Sequence, residues 1–332
     1  MTIKVGLVGY GLAGAVFHAP LINACERLEL AAILTSREAA KAVRTLEELL
    51  GLSELVVIAS PNRTHFPIAK QALEAGKHVV IDKPMTVTAG EAEELIALAA
   101  ERRRVLTVFH NRRWDGDYLT VRKVLPRLGE ANLYEAYWDR FRPAIKQGWS
   151  EVPDDGAGLL SDLGPHLIDQ ALQLFGMPDA VSADVEMQRS GAAVDDYFEL
   201  TMHYGARRVK LGASTMVANP RPRFALHGSA GSFVKHGLDT QEEALKAGVD
   251  PLSSGFGTDE RHGDLILPDG SRETVPTEPG NYLEFYPIVA RAVIDGGAVP
   301  VDPADALNGL RIIDLARESC RLGRRLELPA AS

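Results

Sequence analysis

Apolar residues follow two rhythms along this chain. In the first third, short runs dense in Val, Ile and Leu, at 3–8, 28–34, 54–58, 78–81 and 105–109, alternate with longer amphipathic segments. The runs read as buried strands and the segments between them as helices. Local signals mark the helix ends. Thr45 with Glu48, and Thr88 with Glu91, are capping-box patterns at two helix starts. Gly76 stops the helix that begins at Phe66, and Arg102, Arg103 and Arg104 complement the C-terminal end of the helix that Thr88 opens. Pro20 is expected to break or restart the helix after the first strand. This alternation predicts an α/β, doubly wound domain over residues 1–116.

Beyond that point strands follow one another in series, at 131–137, 180–188, 197–204, 208–216 and 224–227, punctuated by Gly, Ser and Pro. Asp269-Gly270 between 265–267 and 273–275 signals a hairpin. Helical patterns at 282–294 and 305–321 cover the sheet or return to the first domain. Residues 117–332 are therefore expected to form an α+β domain with an open mixed or antiparallel sheet. Its strands outnumber the helices available to cover them, which predicts a sheet face buried in a homodimer or homotetramer.

Composition narrows the partners. A chain of 332 residues suits two domains. A net charge of -9 without any basic tract excludes a nucleic-acid surface, whose phosphates demand clustered Lys and Arg. Cys25 and Cys320 are far apart and in no metal-ligand spacing, so no metal site or disulfide framework is expected. No apolar run approaches the ~20 residues that span a bilayer. The expectation is a soluble cytoplasmic protein that binds no membrane.

The candidate chemistry sits where strands end. Gly9-Tyr10-Gly11-Leu12-Ala13-Gly14 fits G-x-G-x-x-G after a strand and before a helix, the context in which such a loop holds a dinucleotide diphosphate at a helix N-terminus. An ordinary strand-to-helix turn is the plain alternative. An NAD enzyme places an acid about twenty residues past the last glycine. Here Thr35-Ser36-Arg37 stands at the second strand's end, two hydroxyls and a guanidinium that suit a 2′-phosphate and favour NADP over NAD. The third strand ends in a polar turn with Ser60, Pro61, Asn62 and His65, and the fourth in Asp82-Lys83-Pro84, where a surface lysine is the competing reading. His110-Asn111-Arg112-Arg113-Trp114-Asp115 leaves the fifth strand and lines a cleft or is a plain linker. Phe17 and His18 lie at the bend before Pro20, with His18 a substrate contact or a structural residue. In the second half, Asp162 and His166 lie four apart at a helix start and share one face, an arrangement for proton transfer or a dipole-complementing Asp with a His packed over it.

With these motifs in place, the chain resembles the Gfo/Idh/MocA family of oxidoreductases over nearly its whole length. The family's E-K-P motif appears as Asp82-Lys83-Pro84, and its D-x-G-x-H signature as Asp162-Leu163-Gly164-Pro165-His166 after Gly156-Ala157-Gly158. Phe17-His18-Ala19-Pro20, the 110–115 run and Asp195-Asp196-Tyr197-Phe198 resemble the branch containing NADP-dependent scyllo-inositol dehydrogenases. The resemblance implies that Lys83, Asp162 and His166 are catalytic. It implies cofactor contacts from residues 9–14, Ser36, Arg37, Ser60, Pro61, Asn62, His65, Asp82, Lys83, Asn111 and Arg112, with the nicotinamide lying across a cleft between domains. Substrate contacts would come from Phe17, His18, Trp114, Asp115 and Trp149. The implied activity is hydride transfer between NADP and a secondary hydroxyl or ketone of a cyclic polyol or sugar. A non-catalytic dinucleotide or sugar sensor, and a reductase of another carbonyl, are the rival readings.

Overall fold

The computed structural model describes residues 1–145, 151–153 and 156–328. They fall into two compact units. The first holds Met1–Trp114, Thr240–Gly257 and Asn281–Leu307; the second holds Asp115–Asp239, Thr258–Gly280 and the chain from Asn308 onward.

In the first unit, β1 (Ile3–Val8), β2 (Leu28–Leu34), β3 (Ala42–Val43), β4 (Leu55–Ile58), β5 (His78–Asp82) and β6 (Leu106–Phe109) form one sheet in the order β3-β2-β1-β4-β5-β6. Every pairing is parallel. Helices α1 (Ala19–Asn23), α2 (Leu46–Leu52), α3 (His65–Glu74) and α4 (Ala89–Arg102) alternate with the strands. Helices over both faces of a parallel sheet leave its strands dry, which is why β1, β4, β5 and β6 read as continuous apolar runs. Thr45 and Thr88 close the two capping boxes with Glu48 and Glu91. The two-residue strand β3 lies in a stretch with no strand-like pattern and was not anticipated.

The second unit opens with α5 (Gly116–Val124) and is built on a nine-stranded sheet. Its strands are β7 (Ala131–Asp139), β8 (Ala180–Glu186), β9 (Tyr197–Tyr204), β10 (Arg207–Ser214), β11 (Phe224–Gly228), β12 (Gly231–Lys235), β13 (Gly263–Ile266), β14 (Arg272–Val275) and β15 (Leu326–Glu327). The order is β14-β13-β12-β11-β7-β10-β9-β8-β15, and β7 with β10 is the parallel pair among antiparallel neighbours, so the sheet is mixed. Helix α6 (Leu159–Phe175) buries Leu160, Leu163, Leu167 and Ile168 in one cluster with Tyr134, Trp138, Phe198, Leu200 and Leu211. The pleat sends the alternate residues to the opposite face, where Glu135, Lys210 and Thr201 lie in register. There the Arg221 guanidinium lies 3.7 Å from the Tyr137 ring centroid, forks onto Asp139 at 2.7 and 2.8 Å and pairs with Glu199. That outer face is polar.

Two later segments return to the first unit, a feature expected of the C-terminal helices at most. They carry α7 (Gln241–Lys246) and α8 (Phe285–Asp295), while the last helix, α9 (Pro303–Leu322), gives Ile312, Ile313 and Ala316 to the second unit's core. Beside the edge strand β6, Phe285 meets Phe109 edge-on at 4.8 Å, and Thr107 donates to the Val301 carbonyl at 2.7 Å. The expected boundary after residue 116 becomes a junction at 114/115, and the first unit is discontinuous because α8 supplies the aromatic flank that β6 needs. Among the described residues no helix is long and apolar enough to cross a membrane.

Candidate active site

Because all six strands of the first sheet are parallel, the loops leaving β1, β2, β4, β5 and β6 open at one edge, and the strand order reverses between β1 and β4. These loops carry 9–14, 35–37, 60–65, 82–84 and 110–114, which include the expected cofactor residues. Gly9 has φ +93°, and a Cβ there would lie 2.5 Å from the Ala59 carbonyl oxygen. A Cβ on Gly14 would run into the Gly9 carbonyl, whereas Gly11 faces open space. Two glycines are thus required by the chain's own packing, and the middle one leaves room for a ligand beside Tyr10, Leu12 and Ala13. The helix after them is a π-turn over Ala13–His18, with Ala19 N–H on the Gly14 carbonyl, and Pro20 sits in the first turn of α1. Pro20 restarts the helix.

At the end of β2, Arg37 donates its backbone N–H to Thr35 Oγ1 at 3.0 Å and its Nη1 to the Tyr10 carbonyl at 3.2 Å. The guanidinium lies against the glycine loop, next to exposed Ser36. Arg44, which no motif marks in the sequence, donates Nη1 to the Thr35 carbonyl at 2.9 Å and brings a second cation to the same strand end. Six residues, including the two-residue strand β3, separate the two arginines, so no periodicity joins them. At the end of β4, Ser60 Oγ lies 2.6 Å from Thr64 Oγ1, Pro61 offers its carbonyl to Thr64 N–H, and Asn62 is buried.

Around Lys83 several of the expected ligand residues also bind the chain's own groups. Lys83 N–H donates to Asp82 Oδ1 at 2.8 Å, so the Asp82 carboxylate fixes the turn. His65, expected on the cofactor, is buried with Nδ1 2.8 Å from the Pro84 carbonyl and Nε2 2.9 Å from that of Ser60. It ties the β5 loop to the β4 loop, and burial pushes its pKa below the ordinary range. His18, expected at a substrate, is fully buried, with Nδ1 2.6 Å from Tyr286 Oη and Nε2 3.8 Å from Asp82 Oδ2. Burial would raise the Asp82 carboxyl, but contact with His18, together with the neighbouring Lys83 and His65, holds it low. Arg112, expected on the cofactor, donates Nη1 to Tyr282 Oη at 2.6 Å and pairs Nη2 with Glu242 of α7. Burial opposes ionisation of Glu242, yet the Arg112 and Lys246 charges hold its carboxyl at about 2. Arg112 thus anchors the returning segment, and Asn111 beside it is buried. Phe17 packs on Tyr282 at 6.5 Å and Trp114 on Phe285 at 5.7 Å. Tyr286 and Glu242 lie far along the chain from their partners, with no signal in sequence.

In the second unit, α6 places Asp162 and His166 one turn apart near its start. His166 is buried, and its ring lies 6.0 Å from that of Trp138 at 30°. Gly158, at φ +93°, precedes the helix, and a Cβ there would collide with the Asp195 carboxylate. Asp195 Oδ2 accepts Leu160 N–H at 2.7 Å and its carbonyl accepts Leu159 N–H at 2.8 Å, so the helix is capped from 35 residues away. Burial raises the Asp195 carboxyl pKa. Arg317 donates to Ser161 Oγ at 2.6 Å. Asp115, expected at substrate, is buried at the N-cap position of α5. Trp149 lies outside the described residues.

Comparison with known proteins agrees with this layout. Residues 3–110 match the Gfo/Idh/MocA model described as oxidoreductase family, NAD-binding Rossmann fold. Residues 125–328 match its companion, the C-terminal alpha/beta domain. The chain is 41% identical to scyllo-inositol 2-dehydrogenase (NADP(+)) IolW of Bacillus subtilis (strain 168), over 98% of this chain and 96% of that protein. It is 45% identical to the oxidoreductase YdgJ of Escherichia coli (strain K12), over 96% of each. Among solved structures, the oxidoreductase yvaA of Bacillus subtilis superposes with a TM-score of 0.96 at 40% identity, covering 99% of both chains.

Proposed function

Since the chain belongs to the Gfo/Idh/MocA family of oxidoreductases and is an NAD(P)-dependent dehydrogenase, we propose that it uses NADP and acts on a secondary hydroxyl, or the matching ketone, of an inositol-like polyol or sugar. The observation that carries this reading is the Arg37 guanidinium seated on the glycine loop at the Tyr10 carbonyl, where an acid would exclude a 2′-phosphate. The likeness to an NADP-dependent inositol dehydrogenase over nearly the whole chain supports it. The residues fit the cofactor: Gly11 leaves open space where a diphosphate would approach, and Gly9 and Gly14 let the loop close tightly behind it.

The nicotinamide, when bound, supplies the hydride acceptor or donor. The chain's own residues hold and move the proton. His166 takes the proton of the substrate hydroxyl, Lys83 hydrogen-bonds the same oxygen as charge develops, and Asp162 orients substrate and lysine. A panel of cyclic polyols and aldoses with NADP and with NAD, read by absorbance of the reduced nicotinamide, tests the reading. Turnover with NADP on inositol-type substrates is expected, and silence across the panel would overturn it. We further read the polar outer face of the nine-stranded sheet as the interface of a homodimer or homotetramer. A monomer mass in light scattering at micromolar concentration would sink that assignment.

A further inference from the structure

His18 is fully buried in the first unit, and three elements meet on its imidazole. Tyr286 of α8 reaches Nδ1 at 2.6 Å, Asp82 at the end of β5 lies 3.8 Å from Nε2, and the Phe109 ring of β6 packs 4.4 Å from its centroid. A buried histidine needs an account of both ring nitrogens. The phenol settles the first. Burial pushes the Tyr286 hydroxyl well above its ordinary pKa, so it keeps its proton and donates to Nδ1. With Nδ1 accepting, the ring proton sits at Nε2, the nitrogen turned toward Asp82 Oδ2 at 3.8 Å, a charge–dipole contact longer than a hydrogen bond, and no hydrogen-bond partner reaches that nitrogen among the described residues. The other oxygen of that carboxylate, Oδ1, accepts the backbone N–H of Lys83 at 2.8 Å. The groups form a single line: Tyr286 hydroxyl, His18 ring, Asp82 carboxylate, Lys83 backbone.

We propose that His18 is a positioning residue which, with its tautomer fixed by Tyr286, holds the Asp82 carboxylate and through it the turn that presents Lys83. The proposal rests on the reading of Lys83 as a catalytic group. A carboxylate free to rotate about its side-chain bonds would release the Lys83 amide in some rotamers, and an N–H donor facing its second oxygen selects the rotamer that keeps it. An Asp at this place carries its carboxylate one methylene nearer the backbone than a Glu would. Here it serves the next residue's N–H and the buried histidine together. The other titratable groups facing this line are Lys83 and His65 at Asp82, and Cys25 near Tyr286. Burial pushes His65 toward its neutral form and holds the Cys25 thiol protonated.

The test uses the full chain with His18→Phe, His18→Gln and Tyr286→Phe. His18→Phe keeps a flat ring and loses the donor, His18→Gln offers an amide N–H at about the reach of Nε2, and Tyr286→Phe removes one hydroxyl with little risk to folding. The first readout is hydrogen exchange of the Lys83 amide. It is expected to speed up roughly 10-fold or more in His18→Phe as local opening becomes easier, and to return toward the wild-type rate in His18→Gln. The second is kinetic. Loss of positioning should lower kcat by up to about 10²-fold in His18→Phe, with KM for substrate and NADP nearly unchanged. In Tyr286→Phe, the nitrogen chemical shifts of the His18 ring should report loss of the single tautomer. Unchanged Lys83 amide exchange in His18→Phe would overturn the proposal, as would a variant whose defect lies in substrate KM alone. Faster exchange in a protein that turns over no polyol would leave the positioning role standing and remove the functional reading instead.

Discussion

Asp195 Oδ2 accepts the backbone N–H of Leu160 at 2.7 Å, so a residue two positions before β9 caps the helix that carries Asp162 and His166. A side-chain acceptor at a helix N-terminus typically contributes about 1 kcal/mol, with a range of roughly 0.5–2. Asp195→Ala is therefore expected to lower stability by about that amount. It should also reduce kcat, because the first turn of α6 frays, whereas Asp195→Asn keeps an acceptor and retains most of both. Chemical denaturation with kinetics on the same preparations checks this, and equal stability in Asp195→Ala and wild type would refute the cap.

Lys83→Ala and His166→Ala should each lower kcat by about 10²- to 10⁴-fold, the usual contribution of a positioned acid–base group. NADP affinity measured by titration should change little in either variant. Oxidation should fall at low pH as His166 gains its proton, since a base must be unprotonated to act. A His166→Ala protein with near-normal kcat and the wild-type pH profile would contradict the mechanism without touching the fold.

Arg37→Ala should weaken NADP by roughly 1.5–3 kcal/mol, the scale of a hydrogen bond to a charged group, and NAD much less. Arg44→Ala removes the second guanidinium from the same strand end and should act in the same direction more weakly, because its Nη1 is held on the Thr35 carbonyl. Calorimetric titration with both cofactors separates the effects. Equal losses for NADP and NAD in Arg37→Ala would show that this side chain does not read the 2′-phosphate.

Three histidines, one buried and two half-buried, make stability depend on pH with a definite sign. His65, His78 and His203 all have folded pKa values pushed below the free value of 6.5, first by burial. Below that value the unfolded chain binds more protons than the folded one, so their contribution is present above pH 6.5 and is lost as the pH falls below it. Replacing His65 by Gln should flatten the change in Tm between about pH 8 and pH 5. An unaltered slope would mean that His65 titrates alike in both states.

Much of this was legible in the sequence, and what was not has a physical reason. Strand β2 runs over Leu28–Leu34 and β9 over Tyr197–Tyr204, as expected, because each is a run that one local rule describes. The two capping boxes are equally local, since both partners lie within one turn. The glycine loop and the positions of Lys83, Asp162 and His166 followed from motifs of fixed spacing. What escaped were contacts between residues far apart in the chain. His18 and Arg112 look like ligands in sequence, and only the return of the segments that carry α7 and α8 shows their contacts with Glu242, Tyr282 and Tyr286. His65 escaped because a histidine in a polar turn gives no sign that two backbone carbonyls already face its ring. Asp195 was visible as part of a motif, but capping from 35 residues away has no local signature.

The chain passes between its two units at 114/115, 239/240, 257/258, 280/281 and 307/308. The dinucleotide-binding unit is therefore not a contiguous stretch of coding sequence. A fragment ending near residue 114 would emerge from the ribosome without Phe285, Tyr286 and Val301, which flank β6 and His18. Such a fragment would expose that flank to chaperones and proteases until about nine-tenths of the chain had been synthesised. Neither unit could be traded between genes by a single recombination joint.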